Sequence, residues 1–139
     1  MPEENLAAAI NESNAPFARF MGAHMTLVTK DRIEGELKVT KDLCTVPDIL
    51  HGGAIMALAD NMGGLGSFLN MPPGASTTTI ESKTNFLRGV PIGQMAKAVT
   101  TPVNIGATLQ LWKTEVFRED GKLAAVVTQT QMIRGAKKG

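Results

Sequence analysis

The 139-residue sequence predicts an α+β fold in which a curved antiparallel sheet wraps around one long central helix. Three observations carry this expectation. The stretch HGGAIMALADNMGGLGSF, residues 51–68, is apolar on nearly every side, so its helix must be covered all round by a curling sheet or by a partner molecule. Four strand-like segments joined by turn sequences follow it, the pattern of a hairpin meander. Ahead of it, Ile33, Gly35, Leu37 and Val39 alternate with Glu34, Glu36 and Lys38, the period of a strand with one wet face.

The elements follow in order. Residues 1–20 read as an N-terminal helical segment, with helix formers and early acids over 3–10, a stop at NESNAP, and a short packed turn or small helix in FARFMGA. TKDR supplies a turn, so 25–39 is a hairpin. LCTVPDILHGG is a loop, because Pro47 discourages helix at Val46. The central helix spans 53–69 and ends at NMPPGAS, whose two prolines cannot continue it. Strands follow at 76–88, 95–104, 108–118 and 123–134, linked through GVPIG, NIGA and EDGK, where Asp120-Gly121 is a strong hairpin signal. GAKKG, 135–139, is a solvated tail, and 1–139 is expected to form a single domain. An exposed edge strand favours edge-to-edge dimerisation.

Composition excludes several function classes. With 14 basic and 13 acidic residues the net charge is +1, which leaves no electrostatic footprint for nucleic acid or an anionic membrane. No apolar run reaches the ~18 residues of a membrane span, and MPEENLAAAINESN has no basic region of the kind that opens a signal peptide. The single cysteine, Cys44, precludes an intrachain disulfide and fits a reducing, cytoplasmic setting; as a small half-buried side chain it has a simpler explanation than as a nucleophile. Two histidines and one cysteine are too few for a soft metal site, so no metal is expected.

Asp60 is the only ionisable side chain between His51 and Ser67. Burying a lone carboxylate costs several kcal/mol. Three explanations compete: it is a structural residue paired with a base or capped by donors, it faces solvent, or it lines a cleft where a ligand needs it. Its helical neighbours Met56, Ala57, Gly63 and Gly64 offer neither a charge nor a polar stripe. Gly63, Gly64 and Gly66 each cost about 1 kcal/mol against alanine in a helix, so they make room either for a ligand or for close packing. At the helix start, HGG offers free backbone N–H groups to an anion or a developing oxyanion. Asp60 lies two turns further, ~11 Å along the axis. It cannot touch a carbonyl held at its own helix start, but it can serve one held by a second, antiparallel copy. His51 by itself reads more simply as a helix cap than as a catalyst.

The segment HGGAIMALADNMGG, with its preceding Pro loop and the following ESKTNFLRGVPIGQMAKAVTTPVNIGATLQLWKTEVFREDGKLAAVVTQTQMI, resembles the hotdog-fold acyl-CoA thioesterases, in particular the phenylacetate-pathway and 4-hydroxybenzoyl-CoA type-II branch. The likeness covers about residues 21–134. It implies a hydrolase of acyl-CoA thioesters, with CoA as part of the substrate and no separate cofactor, working as a homo-oligomer, a dimer or a dimer of dimers. By resemblance Asp60 is the catalytic carboxylate, acting as general base or nucleophile. Gly52, with Gly53 beside it after His51, polarises the thioester carbonyl, and acid and donors come from different subunits. CoA would lie along FLRGVP and NIGAT, with Arg88 and Gly89 near its phosphates and Asn104, Gly106 and Thr108 along its pantetheine arm; Arg88 is equally explained as a solvated strand-end charge.

The sequence departs from the family in places. Thr45 stands where Asn or Gln is usual, Asp48 where Gly is frequent, Gly64 where some members carry Thr or Ser, and Ala107 where a basic residue is common. Thr78 and Thr79 lie where relatives carry supporting hydroxyls. Thr45 and Gly64 motivate a rival reading, a hotdog protein that binds acyl-CoA or another acyl ligand without hydrolysing it. A hydratase of the same fold would need a histidine near the acid, and His24 reads as structural.

Overall fold

The computed structural model describes residues 3–135. The tail expected at 135–139 therefore lies, but for Gly135, outside the described residues. Helices α1 (Ala7–Ser13) and α2 (Pro16–Met21) precede strands β1 (His24–Val28) and β2 (Ile33–Lys38). A two-stranded pair, β3 (Cys44–Thr45) and β4 (Ile49–Leu50), leads into α3 (Gly52–Leu69). Strands β5 (Ser76–Phe86), β6 (Met95–Ile105), β7 (Leu109–Phe117) and β8 (Leu123–Arg134) complete one antiparallel six-stranded sheet in the order β1-β2-β6-β7-β8-β5. The long helix packs on one face of this sheet.

Two expectations need correction. The first helix begins four residues later than the acids at its start suggest, because Asn5 diverts the chain onto β1: its Oδ1 accepts from Ala7 N and Val28 N, each at 2.9 Å, and its Nδ2 donates to Thr26 O. Glu3 then serves Lys30 N rather than a helix dipole. The LCTVPDILHGG loop contains the β3–β4 pair, and within it Asp48 takes a left-handed conformation, φ 66°. That explains the usual glycine there, since few side chains tolerate such a φ.

The inner face of the sheet changes character along its length. Under the first turns of α3, Ala96, Ala98, Val116, Ala125 and Val127 meet Ile55, Leu58 and Ala59 in the main core. Further along, the inward positions become Thr100, Thr114, Gln110, Gln129 and Gln131, all buried, around Trp112. Two of the three helix glycines answer to this packing. An added Cβ would come within 2.3 Å of the Gln129 amide at Gly63 and 2.7 Å of the Trp112 ring at Gly66, whereas at Gly64 it would meet nothing.

The sheet does not enclose α3. One stripe, Gly53, Met56, Asp60 and Phe68, remains exposed, with Phe68 58% accessible. Of the two coverings expected for an apolar helix, the curling sheet supplies one side and leaves the other exposed. The two sheet edges differ in the same sense. α1 is pinned against β1 by Asn5 and by Asn11, which exchanges two 2.8 Å bonds with Met25, while the 11-residue edge β5 carries exposed Ile80 and Phe86. No helix among the described residues is long and apolar enough to cross a membrane.

Candidate active site

His51 is the N-cap of α3. Its backbone is extended (φ −61°, ψ 135°), and its Nδ1 accepts the Gly53 N–H at 2.8 Å. The ring thus satisfies one of the orphan donors of the helix start. Gly53 was expected to help polarise a carbonyl; with its N–H engaged by His51, only the Gly52 N–H is left without a partner among the described residues. Gly52 lies against the Phe86 ring at the floor of a cleft of about 340 Å³, shared with Thr45, Arg88 and Gly89. Four of the residues singled out from the sequence therefore meet at one place. Arg88 is partly tied, its Nη1 donating to Leu123 O at 2.8 Å.

Asp60 is on the exposed stripe, within a separate recess of about 360 Å³ with Asn14, Asn61, Gly64 and Phe68. Of the three explanations for this acid, pairing with a base fails, since no cation pairs with it among the described residues, but capping by donors is found on one of its two oxygens. It faces outward, yet from an apolar stripe rather than a polar one. Its Oδ1 accepts from Thr79 Oγ1 at 2.6 Å and, more weakly, from Gln129 Nε2 at 3.5 Å. The β-bulge between Thr79 and Glu81 aims these groups: Thr77 and Thr79 face inward before it, Ser82 and Thr84 after it.

The β6–β7 turn lies at the other end of α3. Gly106 lines a recess with Lys30, Asn70 and Gln110, its N–H bonds Leu109 O at 2.9 Å, and an added Cβ would stand 2.6 Å from that oxygen. Its role in the turn is to let the backbones approach, and the N–H offered to a pantetheine arm is already engaged. Asn104 and Thr108 flank it on the same turn. In one chain, then, the Gly52 N–H, Asp60 and this turn occupy the start, middle and end of α3 and do not meet.

Sequence reasoning missed the buried glutamines. Gln131 Nε2 donates to Thr79 Oγ1 at 2.6 Å, and Thr77 Oγ1 donates to Gln131 Oε1 at 3.1 Å. The signal was present in TQTQM, where polar residues fall on the alternation that should point inward.

Comparison with known proteins bears on the family and the fold. A profile of the thioesterase superfamily matches residues 48–125, from the loop before α3 into β8. A protein of Haemophilus influenzae named "Putative esterase" is 30% identical over 106 residues, 76% of each chain. The 1,4-dihydroxy-2-naphthoyl-CoA hydrolase of Escherichia coli is 26% identical over 115 residues, 83% of this chain and 82% of that one. A crystal structure of a Haemophilus influenzae thioesterase superposes with a TM-score of 0.84 at 28% identity, covering 99% of this chain and 94% of the other.

Proposed function

The chain belongs to the thioesterase superfamily, and from that premise we propose that it hydrolyses acyl-CoA thioesters at a site shared by two copies of itself. The observation that carries the reading is the Asp60 carboxylate: unpaired by any cation among the described residues, on an open helix face, held on one oxygen only. Its Oδ2 is left to act. Gly64 beside it leaves space that a water can fill.

Asp60 takes a proton from that water as the water oxygen bonds to the thioester carbonyl carbon. The carbonyl electrons move onto oxygen, where the Gly52 N–H and the positive end of α3 of the partner copy stabilise them. Collapse breaks the C–S bond, and the CoA thiolate takes the proton from Asp60, restoring the carboxylate. The products are a free acid and CoA.

The dimer needed for this has a specific geometry. Met56 is midway between Gly52 and Asp60 on the exposed stripe. A two-fold axis passing beside Met56 sets each Asp60 against the other copy's Gly52. The unpaired β5 edge and its exposed Ile80 and Phe86 favour pairing of the two copies along the same side. The same arrangement brings one copy's β6–β7 turn, with Asn104 and Thr108, toward the other copy's Arg88 and Gly89, as a ligand as long as CoA requires.

A panel of acyl-CoAs with a thiol reagent tests hydrolysis directly. Thiol release that vanishes in Asp60→Asn supports it. Binding without release supports the acyl-binding rival. Single-turnover hydrolysis in oxygen-18 water reports on the nucleophile: label in the Asp60 carboxylate assigns one, through an anhydride opened at the Asp60 carbonyl, while label confined to the product acid means that water attacked the acyl carbon.

A further inference from the structure

Three glutamines, Gln110, Gln129 and Gln131, stand on the inner face of the sheet, each about 1% accessible. Buried amides are costly unless their donors and acceptors are matched. Gln110 has a structural account, since it accepts from Trp112 Nε1 and donates to Asn70 O. Gln131 makes neither of its side-chain hydrogen bonds to backbone; the two run along a polar file from Thr77 to Thr79 to Asp60.

We propose that Gln131 is a positioning residue for the hydrolysis described above, setting the direction of the Thr79 hydroxyl and through it the orientation of the Asp60 carboxylate. The inference rests on that reading of Asp60. It follows from counting protons. A hydroxyl has one proton to give. Thr77 gives its proton to Gln131 Oε1, which leaves the amide nitrogen as the end facing Thr79. The nitrogen donates to Thr79 Oγ1, so that oxygen is occupied as an acceptor, and its only proton remains for Asp60 Oδ1 at 2.6 Å. An amide turned the other way would present an oxygen to Thr79 and compete with Asp60 for the same proton. The file therefore has one direction, from Thr77 to Asp60, and it holds one carboxylate oxygen while leaving the other to the reaction. Register supports it: Thr79 is the cross-strand partner of Gln131, and the bulge that follows keeps Thr79 facing inward. Gln129 adds a weaker donor to the same oxygen, admitted beneath the helix by the missing side chain of Gly63.

The test compares kcat and KM for the parent, Thr79→Val, Gln131→Met and their double variant on one acyl-CoA. Each single change lowers kcat about ten-fold or more and leaves KM within about two-fold, since misorienting a reacting group costs rate rather than affinity. The double variant falls no further than Thr79→Val, because Gln131 acts only through that hydroxyl. Thr79→Ser, which keeps the hydroxyl, recovers most of the loss. Parental kcat in Gln131→Met, or multiplicative losses in the double variant, overturns the inference. If Gln131→Met does not fold, Thr77→Val releases the amide instead and lowers kcat several-fold, and parental kcat there overturns the inference equally. A crystal structure of Gln131→Met, or of Thr77→Val in its place, reads the same point without turnover: the Thr79–Asp60 bond is lost or lengthened, and its persistence contradicts the proposal. Turnover retained in Asp60→Asn would instead defeat the catalytic role given to Asp60, leaving the crystallographic result to judge Gln131 alone.

Discussion

At Asp60 an amide replaces the carboxylate with almost no change of shape. Asp60→Asn is expected to lower kcat by about 10²–10⁴-fold, the range a positioned general base supplies, with thermal stability close to the parent. Nearby, Gly52→Pro probes the Gly52 N–H; the Cβ it adds stands 3.0 Å from the Phe86 ring, which must turn aside by a few tenths of an ångström. Proline is favoured at the first helical position, and the extended backbone of His51 is what a following proline requires. The change deletes one N–H and leaves the helix, so thiol release should fall about 10²–10³-fold, as for loss of one oxyanion donor. Asp48 makes a different prediction. At φ 66° a β-branched side chain is strained, so Asp48→Val should destabilise by about 1–2 kcal/mol in urea unfolding. Asp60 and Gly52 could be singled out from sequence because an acid in an apolar helix and glycines at its start are local anomalies. Gln131 could not, because its partners are 52 and 54 residues away and only strand register brings them together.

Among the elements, α3 shows why three similar glycines have different reasons. Gly66→Ala drives a methyl group into the Trp112 ring and should destabilise by about 1–3 kcal/mol. Gly64→Ala meets nothing in one chain and should strengthen the helix by up to about 1 kcal/mol, while impairing turnover where a water or partner occupies that space. Urea denaturation of the two variants reads the contrast. The β7–β8 hairpin turns where Asp120-Gly121 predicted it, with Gly121 left-handed. Asp120 there is hydrogen-bonded by Arg118 and by Lys122 N, and Arg118 chiefly holds its carboxyl down at about 2. A carboxylate whose folded value lies below the unfolded one stabilises above about pH 4 and loses that contribution as pH falls toward 2. The stability difference between the parent and Asp120→Asn should therefore shrink across that window in acid titrations of unfolding. The strands of the six-stranded sheet were legible from alternation and turn residues to within one or two residues, whereas the two-residue strands β3 and β4 were not. The start of α1 was not, since it depends on Asn5 bonding a strand more than twenty residues later.

In the whole molecule, the apolar circumference of α3 announced in sequence that something must cover it, and the structure divides the task between sheet and exposed stripe. The axis beside Met56 makes the partner's position testable. Met56→Cys should cross-link two copies under mild oxidation, since facing residues across a tight helix pair approach disulfide range. Light scattering at micromolar concentration should give at least a dimer. The most direct measurement mixes two disabled chains. Asp60→Asn and Gly52→Pro are each expected to be nearly inactive, but a heterodimer of the two, purified through a different tag on each, has one site with both groups intact. It should recover about half the parental rate per dimer. A heterodimer as inactive as either variant alone would contradict a site completed by the neighbouring copy.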